Sequence, residues 1–113
     1  MNPGEDAAGT AVACSAGPTL RAVGGKWKAP ILWSLYKARR PLRFAELKRS
    51  LPRISQRMLS RRLRELEVQG ILSRNVRPVK PPRVEYAMTE HGRTLHAVLV
   101  ALCRWGKANG WSE

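Results

Sequence analysis

Cysteine is nearly absent from this chain. Cys14 and Cys103 are too few for a disulfide framework, and they lack the spacing of zinc ligands. Histidine is as scarce, with only His91 and His96, and no pair of carboxylates is placed for acid–base work. The sequence therefore offers no catalytic constellation, no metal site and no resident cofactor, and the chain is not expected to be an enzyme. No apolar run approaches the roughly 20 residues of a membrane span. Residues 1–25 also lack the basic-then-apolar order of a signal peptide, so a cytoplasmic chain is expected. Acidic residues are the last scarcity: 8 Asp and Glu face 21 Lys and Arg, for a formal net charge of +13. Such an excess predicts attraction to a polyanion and says nothing about fold.

What is present is sorted along the chain. Between Lys37 and Arg64 the basic residues are Lys37, Arg39, Arg40, Arg43, Lys48, Arg49, Arg53, Arg57, Arg61, Arg62 and Arg64, whereas Glu46 is the only acid. Residues 55–69 hold the centre of this field. At about 100° per residue, Leu59, Leu63 and Leu66 share one side of a helix. Arg57, Arg61 and Arg64 fall nearly opposite, with Gln56 and Ser60 on their flank. A charge run is ordinarily a solvated face, but acidic i, i+4 partners are missing here until Glu65 and Glu67. Guanidinium forks suit phosphate oxygens and the O6/N7 edge of guanine, so this helix is expected to lie against DNA. A lipid surface is the weaker reading, because the apolar side carries no Trp or Phe.

At 113 residues the chain is one domain with a single core. Residues 1–16 are small, low in complexity and aperiodic, and read as a flexible N-terminal tail ahead of a domain over 17–113. Pro18 can open a short helix running to about Val23, which Gly24-Gly25 ends. Lys26 to Tyr36 then carries Trp27, Ile31, Leu32 and Leu35 at helical spacing, with Pro30 in the first turn or so. Arg39-Arg40-Pro41 breaks this helix, and Leu42-Arg43 leaves room for a short strand.

Phe44 to Leu51 is a third helix, stopped by Pro52, and Ser55 is the N-cap expected for the arginine helix, with Gly70 at its C-terminal end. Two short helices around a tight turn, the second basic outside, make a helix-turn-helix. After Gly70 the period changes to about 2, and two strands around a loop with three prolines make a hairpin over about 71–88. Thr89 caps a last helix, about 90–109, whose Leu95, Val98, Leu99, Leu102 and Trp105 form a continuous apolar face. That face exceeds what so small a core needs, so part of it is expected to meet another chain. The fold class is α+β, mostly helical: a winged helix-turn-helix with a C-terminal dimerisation helix.

In order and spacing, Gly24-Gly25-Lys26-Trp27, Phe44-Ala45-Glu46-Leu47, Ile54-Ser55-Gln56-Arg57-Met58-Leu59, Leu63-Arg64-Glu65-Leu66-Glu67, Pro81-Pro82-Arg83-Val84-Glu85-Tyr86 and Thr89-Glu90-His91-Gly92-Arg93 resemble the HxlR-type winged-helix transcriptional regulators of bacteria. The match runs from about Cys14 to Trp105. It implies a homodimer, joined through its first and last helices, that binds inverted-repeat operators in double-stranded DNA near promoters; repression would follow from overlap of the occupied operator with polymerase sites. Two arginine helices would then occupy major grooves roughly 34–36 Å apart. The resemblance also places a cysteine, which senses oxidants or electrophiles in some members, at Cys14; the family's common following Pro is Ser15 here.

The expected DNA contacts are Arg43, Ser55, Gln56, Arg57, Ser60, Arg61, Arg64, Lys80 and Arg83. Arg57 and Arg61, in the first half of the helix, are the base-edge candidates, and Arg64 is assigned to phosphate. Arg62, between the two faces, reads as a stem packed on the core with its head in water. Lys80 and Arg83 are either phosphate or minor-groove contacts or the polar tip of a soluble hairpin. Leu20 joins the last helix's apolar residues in the expected dimer interface. Trp27, Trp33, Tyr36 and Trp105 read as core and dimer contacts before any ligand cavity, His91 and His96 as ordinary helix residues. A small-molecule effector is left open. Cys14, near a helix N-terminus with Arg21 and Lys26 close in sequence, is the redox-sensing candidate. Cys103, beside the expected dimer face, reads as a small buried hydrophobe. The alternative to a sequence-specific regulator is a sequence-neutral nucleic-acid-packaging or RNA-binding protein that uses the charge alone.

Overall fold

The computed structural model describes residues 7–8, 10–11 and 14–111. Ala7–Ala8 (β1) and Thr10–Ala11 (β2) pair antiparallel, within the segment expected to be a tail; the rest of that segment up to residue 13 lies outside the described residues. Helix α1 spans Ala16–Val23 and so begins two residues before Pro18. The Ser15 carbonyl already accepts the Thr19 N–H at 3.0 Å. Pro18 thus takes the third helical position, still among the residues whose N–H has no partner within the helix. Helix α2, Lys28–Ala38, ends on Arg39 in the left-handed conformation (φ 56°).

Strand β3 (Leu42–Arg43) leads into α3 (Phe44–Ser50), and α4 follows over Gln56–Val68. The Ser55 hydroxyl accepts the Met58 N–H at 3.0 Å, a cap that contributes about 1 kcal/mol. At the other end Gly70 adopts φ 76°. Its N–H reaches the Glu67 carbonyl at 3.0 Å, and the Ile71 N–H reaches Leu66, also at 3.0 Å. This pair of bonds is the Schellman closure that glycine permits. Strands β4 (Leu72–Arg77) and β5 (Arg83–Met88) form the wing, in register from Leu72↔Met88 to Arg77↔Arg83. β3 joins the far edge of β5, Leu42 opposite Tyr86, so the sheet order is β3-β5-β4.

The C-terminal region differs from the single helix expected. It is two helices, α5 (Glu90–Arg93) and α6 (His96–Ala108). The Tyr36 hydroxyl donates to the Gly92 carbonyl at 2.7 Å, and the Thr94 hydroxyl donates to the His91 carbonyl at 2.6 Å. Around these, Thr94 and Leu95 close short bonds to His91 and Gly92, and the chain turns before α6 begins. Gly92 is required at this corner, because a Cβ there would meet the Ile71 carbonyl.

One core joins these elements. Ile31, Leu32 and Leu35 of α2, Leu47 of α3, Leu59, Leu63 and Leu66 of α4, Ile71, Leu72 and Leu99 are buried together, with Trp27, Trp33 and Tyr36 partly buried against them. The architecture is a winged helix-turn-helix, mostly helical, with a small antiparallel sheet.

Candidate nucleic-acid interface

The two sides of α4 part as their spacing requires. Leu59, Leu63 and Leu66 are at most 1% exposed, while Gln56, Arg57, Ser60, Arg61 and Arg64 face outward. Arg57, Ser60, Arg61 and Arg64 line an open groove of about 700 Å³ between the helix and the wing. The opposite wall contains Arg74 of β4 and Tyr86 of β5, which are register partners. Neither was anticipated from the sequence. Alternation from the buried Leu72 puts Arg74 on the side of the sheet that meets the core, but only the packed fold brings that side beside α4. Glu67 completes the lining.

The remaining predicted contacts lie apart from this groove. Ser55 is exposed and serves as the helix cap, while Arg43 is on β3 with its Nε 3.9 Å from Glu46. Lys80 is in the exposed loop between β4 and β5, and Arg83 opens β5 with Nη1 4.0 Å from Glu85. Arg77 reaches the same carboxylate at 3.3 Å, so the tip end of the hairpin, next to the loop, is partly self-neutralised.

Two acids brace the frame. Arg62 is 26% exposed, but its head, expected in water, donates to Glu65 at 2.7 Å. That hydrogen bond, followed by the charges of Arg62 and Lys28, holds the Glu65 carboxyl below its ordinary value. Lys28 is the lysine that sequence reasoning passed over, since a charge between Trp27 and Ala29 looks like surface. It is 7% exposed. Its Nζ donates to the Ala22 carbonyl at 3.0 Å and to Gln69 Oε1 at 3.5 Å, and lies 3.6 Å from Glu65. The C-terminal half of α4 is thereby pinned to the junction of α1 and α2.

Glu46 is the only acid in the basic stretch, and its charge is consumed locally. It accepts from Arg40 Nη2 at 3.0 Å and from the Arg43 N–H at 2.8 Å. The Arg40 hydrogen bond first, then the Arg43 backbone bond, lower its carboxyl from an ordinary 4.5 to about 2. A carboxylate favoured by folding stabilises above its unfolded value and loses that contribution as pH falls through the folded one. The stability advantage of wild type over Glu46→Gln is therefore expected to shrink between about pH 4.5 and 2, in urea unfolding curves taken across that range. Glu65 fades in the same direction in both proteins and cancels from the difference. A difference independent of pH would mean that the Glu46 charge does not hold α3.

The expected dimer residues divide. Leu99 is 3% exposed and belongs to the core of the chain itself, and Leu95 packs partly buried against it. Leu20, Val98, Leu102 and Trp105 remain exposed. Cys103 is exposed in the single chain and is not part of its core: it lies one turn after Leu99 on the same side of α6, but residues 101–105 extend past the core and are all exposed. Cys14 is exposed, and its Sγ accepts the Ala16 N–H at 3.4 Å at the start of α1. His96 packs against the Tyr36 ring, centroids 4.6 Å apart. Among the described residues no three His, Cys, Asp or Glu side chains gather as a metal site, and no helix is long and apolar enough to cross a membrane.

The family model of an HxlR-like helix-turn-helix matches residues 22–113. An HTH-type transcriptional regulator of Methanothermobacter thermautotrophicus is 46% identical over 107 residues, which is 95% of this chain and 80% of that protein. Among solved structures, the redox regulator HypR in its reduced form is similar at a TM-score of 0.79 and 42% identity, over 85% of this chain and 93% of that one. The reduced form of the transcriptional regulator YodB from B. subtilis is similar at a TM-score of 0.76 and 35% identity, over 84% and 92%. These relatives are named as regulators and none as an enzyme. With its basic helix, its wing and a family match over most of its length, the chain belongs to the HxlR-like helix-turn-helix family of DNA-binding transcriptional regulators.

Proposed function

We propose that the chain acts in the cytoplasm as a homodimer that binds an inverted-repeat operator sequence-specifically and represses by occupying it. The observation that carries this reading is the groove in which Arg57, Ser60, Arg61 and Arg64 of α4 face Arg74 and Tyr86 of the wing. Phosphates run along its cationic walls, while the outermost side chains of α4 enter the major groove. The exposed stripe of Val98, Leu102 and Trp105, with Leu20, supplies the contact between two copies.

Selection from a random duplex library, followed by footprinting, tests the proposal. A specific regulator prefers its site by about 10³ or more over random duplex, and its protected half-sites are related by a two-fold axis. Failure to enrich any motif would favour sequence-neutral packaging or RNA binding. On the selected site, Arg61→Ala is expected to lose about 1–3 kcal/mol and to relax preference at one base pair, whereas Lys80→Ala weakens all duplexes alike and lowers the salt slope. Unchanged affinity would remove Arg61 from the reading set.

Redox control through Cys14 is the finer part of the proposal. Its support is the exposure of the thiol at the start of α1 and the similarity of the chain to the redox regulator HypR. Oxidant is expected to change the operator affinity of wild type and to leave Cys14→Ser unaffected. An identical response of both proteins would exclude that switch.

A further inference from the structure

A second concavity of about 510 Å³ lies where the end of α2, the end of β5, and the α5–α6 corner meet. Its size is that of a small-molecule site. Leu35, only 3% exposed, lines it together with Met88, and both are apolar. Tyr36 and His96 supply aromatic edges whose rings stand 4.6 Å apart at 59°. The hydrogen bond from the Tyr36 hydroxyl to Gly92 at 2.7 Å fixes that ring in advance of any ligand.

Three guanidinium groups share the lining. Arg40 is taken by Glu46 at 3.0 Å. Arg39 and Arg93 have no carboxylate within 4.0 Å among the described residues, so positive charge stands uncompensated beside an apolar surface. Arg39 also holds a left-handed backbone (φ 56°), a conformation that glycine would take with less strain.

We propose that this cavity binds a small aromatic carboxylate, its ring against Leu35, Met88 and the Tyr36–His96 pair, and its carboxylate on Arg39 and Arg93. The planar fork of a guanidinium matches two carboxylate oxygens, and a flat ring exploits an apolar floor that a phosphate group would not need. Binding itself does not depend on the DNA reading. Its regulatory consequence does: the ligand bridges α6 and the wing strand β5, so a ligand that shifts operator affinity must have its own affinity shifted by the operator in equal measure.

The test is calorimetric titration of the full chain without DNA, using 1-naphthoate, its neutral analogue 1-naphthamide, and inorganic phosphate. One saturable naphthoate site per chain is expected, with the amide and phosphate each weaker by about tenfold or more. Arg93→Ala and Arg39→Gly should each weaken naphthoate by about tenfold, while Arg39→Gly keeps or raises the melting temperature because glycine relieves the left-handed turn. Absence of saturable naphthoate binding would overturn the proposal. So would binding indifferent to both arginine substitutions, which places the ligand elsewhere, or phosphate binding as tightly as naphthoate, which makes the site one for a phosphate or the DNA backbone. A chain that binds naphthoate yet selects no operator would leave the pocket standing and remove the regulator reading.

Discussion

Replacing Leu102 and Trp105 together by aspartate is expected to leave the chain folded but monomeric, and to lower its affinity for an operator of two half-sites by about 10²–10⁴-fold. The two residues are 49% and 61% exposed and lie on α6 with Val98, at 42%, one turn before Leu102. Leu99 on the same helix is 3% exposed and continues to hold α6 to the core. The substitution therefore puts charge on the outer stripe without opening the interior. A desolvated carboxylate with no partner opposes burial against a second copy. Once the copies separate, the second half-site no longer binds at the high effective concentration that the first provides. Sedimentation velocity and fluorescence anisotropy on the selected duplex check the two halves of the expectation. A variant that sediments as a dimer would show that the copies meet elsewhere.

Leu63→Ala is expected to cost about 2–5 kcal/mol of folding stability, because it deletes a buried side chain and leaves a cavity that the surroundings fill only in part. Leu63 is 1% exposed and lies between Leu59 and Leu66 in the row that seats α4 on the core. Its neighbour Arg64 gives the matched control. Exposed beside the groove, it should change stability by no more than about 0.5 kcal/mol when replaced by alanine, while lowering DNA affinity. Urea unfolding of both variants, beside anisotropy on folded protein, separates the support of the helix from its reading surface. If Leu63→Ala lost little stability, the division of α4 into a core side and a DNA side would be wrong.

Much of this was legible without coordinates. The Leu59-Leu63-Leu66 row, the Ser55 cap, Gly70 beyond the helix end and the change of period after it are local signals, and each is found where it was expected. The grouping of Arg57, Ser60, Arg61 and Arg64 also follows from helical spacing alone. The corner at Gly92 was not legible, because it depends on a hydrogen bond from Tyr36 on another helix. Lys28 was not legible either: its partners are Ala22 at the end of α1 and Glu65 and Gln69 far along α4.

Spacing of a few residues determines which side chains share a face and where a helix can start or stop, and so the basic helix, the hairpin and the family motifs could be read from the chain alone. Which faces meet was decided by tertiary structure, because that is a competition among distant segments for one core. Packing turned Leu99 inward and left Cys103 outside, brought Arg74 and Tyr86 opposite the arginines of α4, and gathered Arg39, Arg93 and His96 around one cavity.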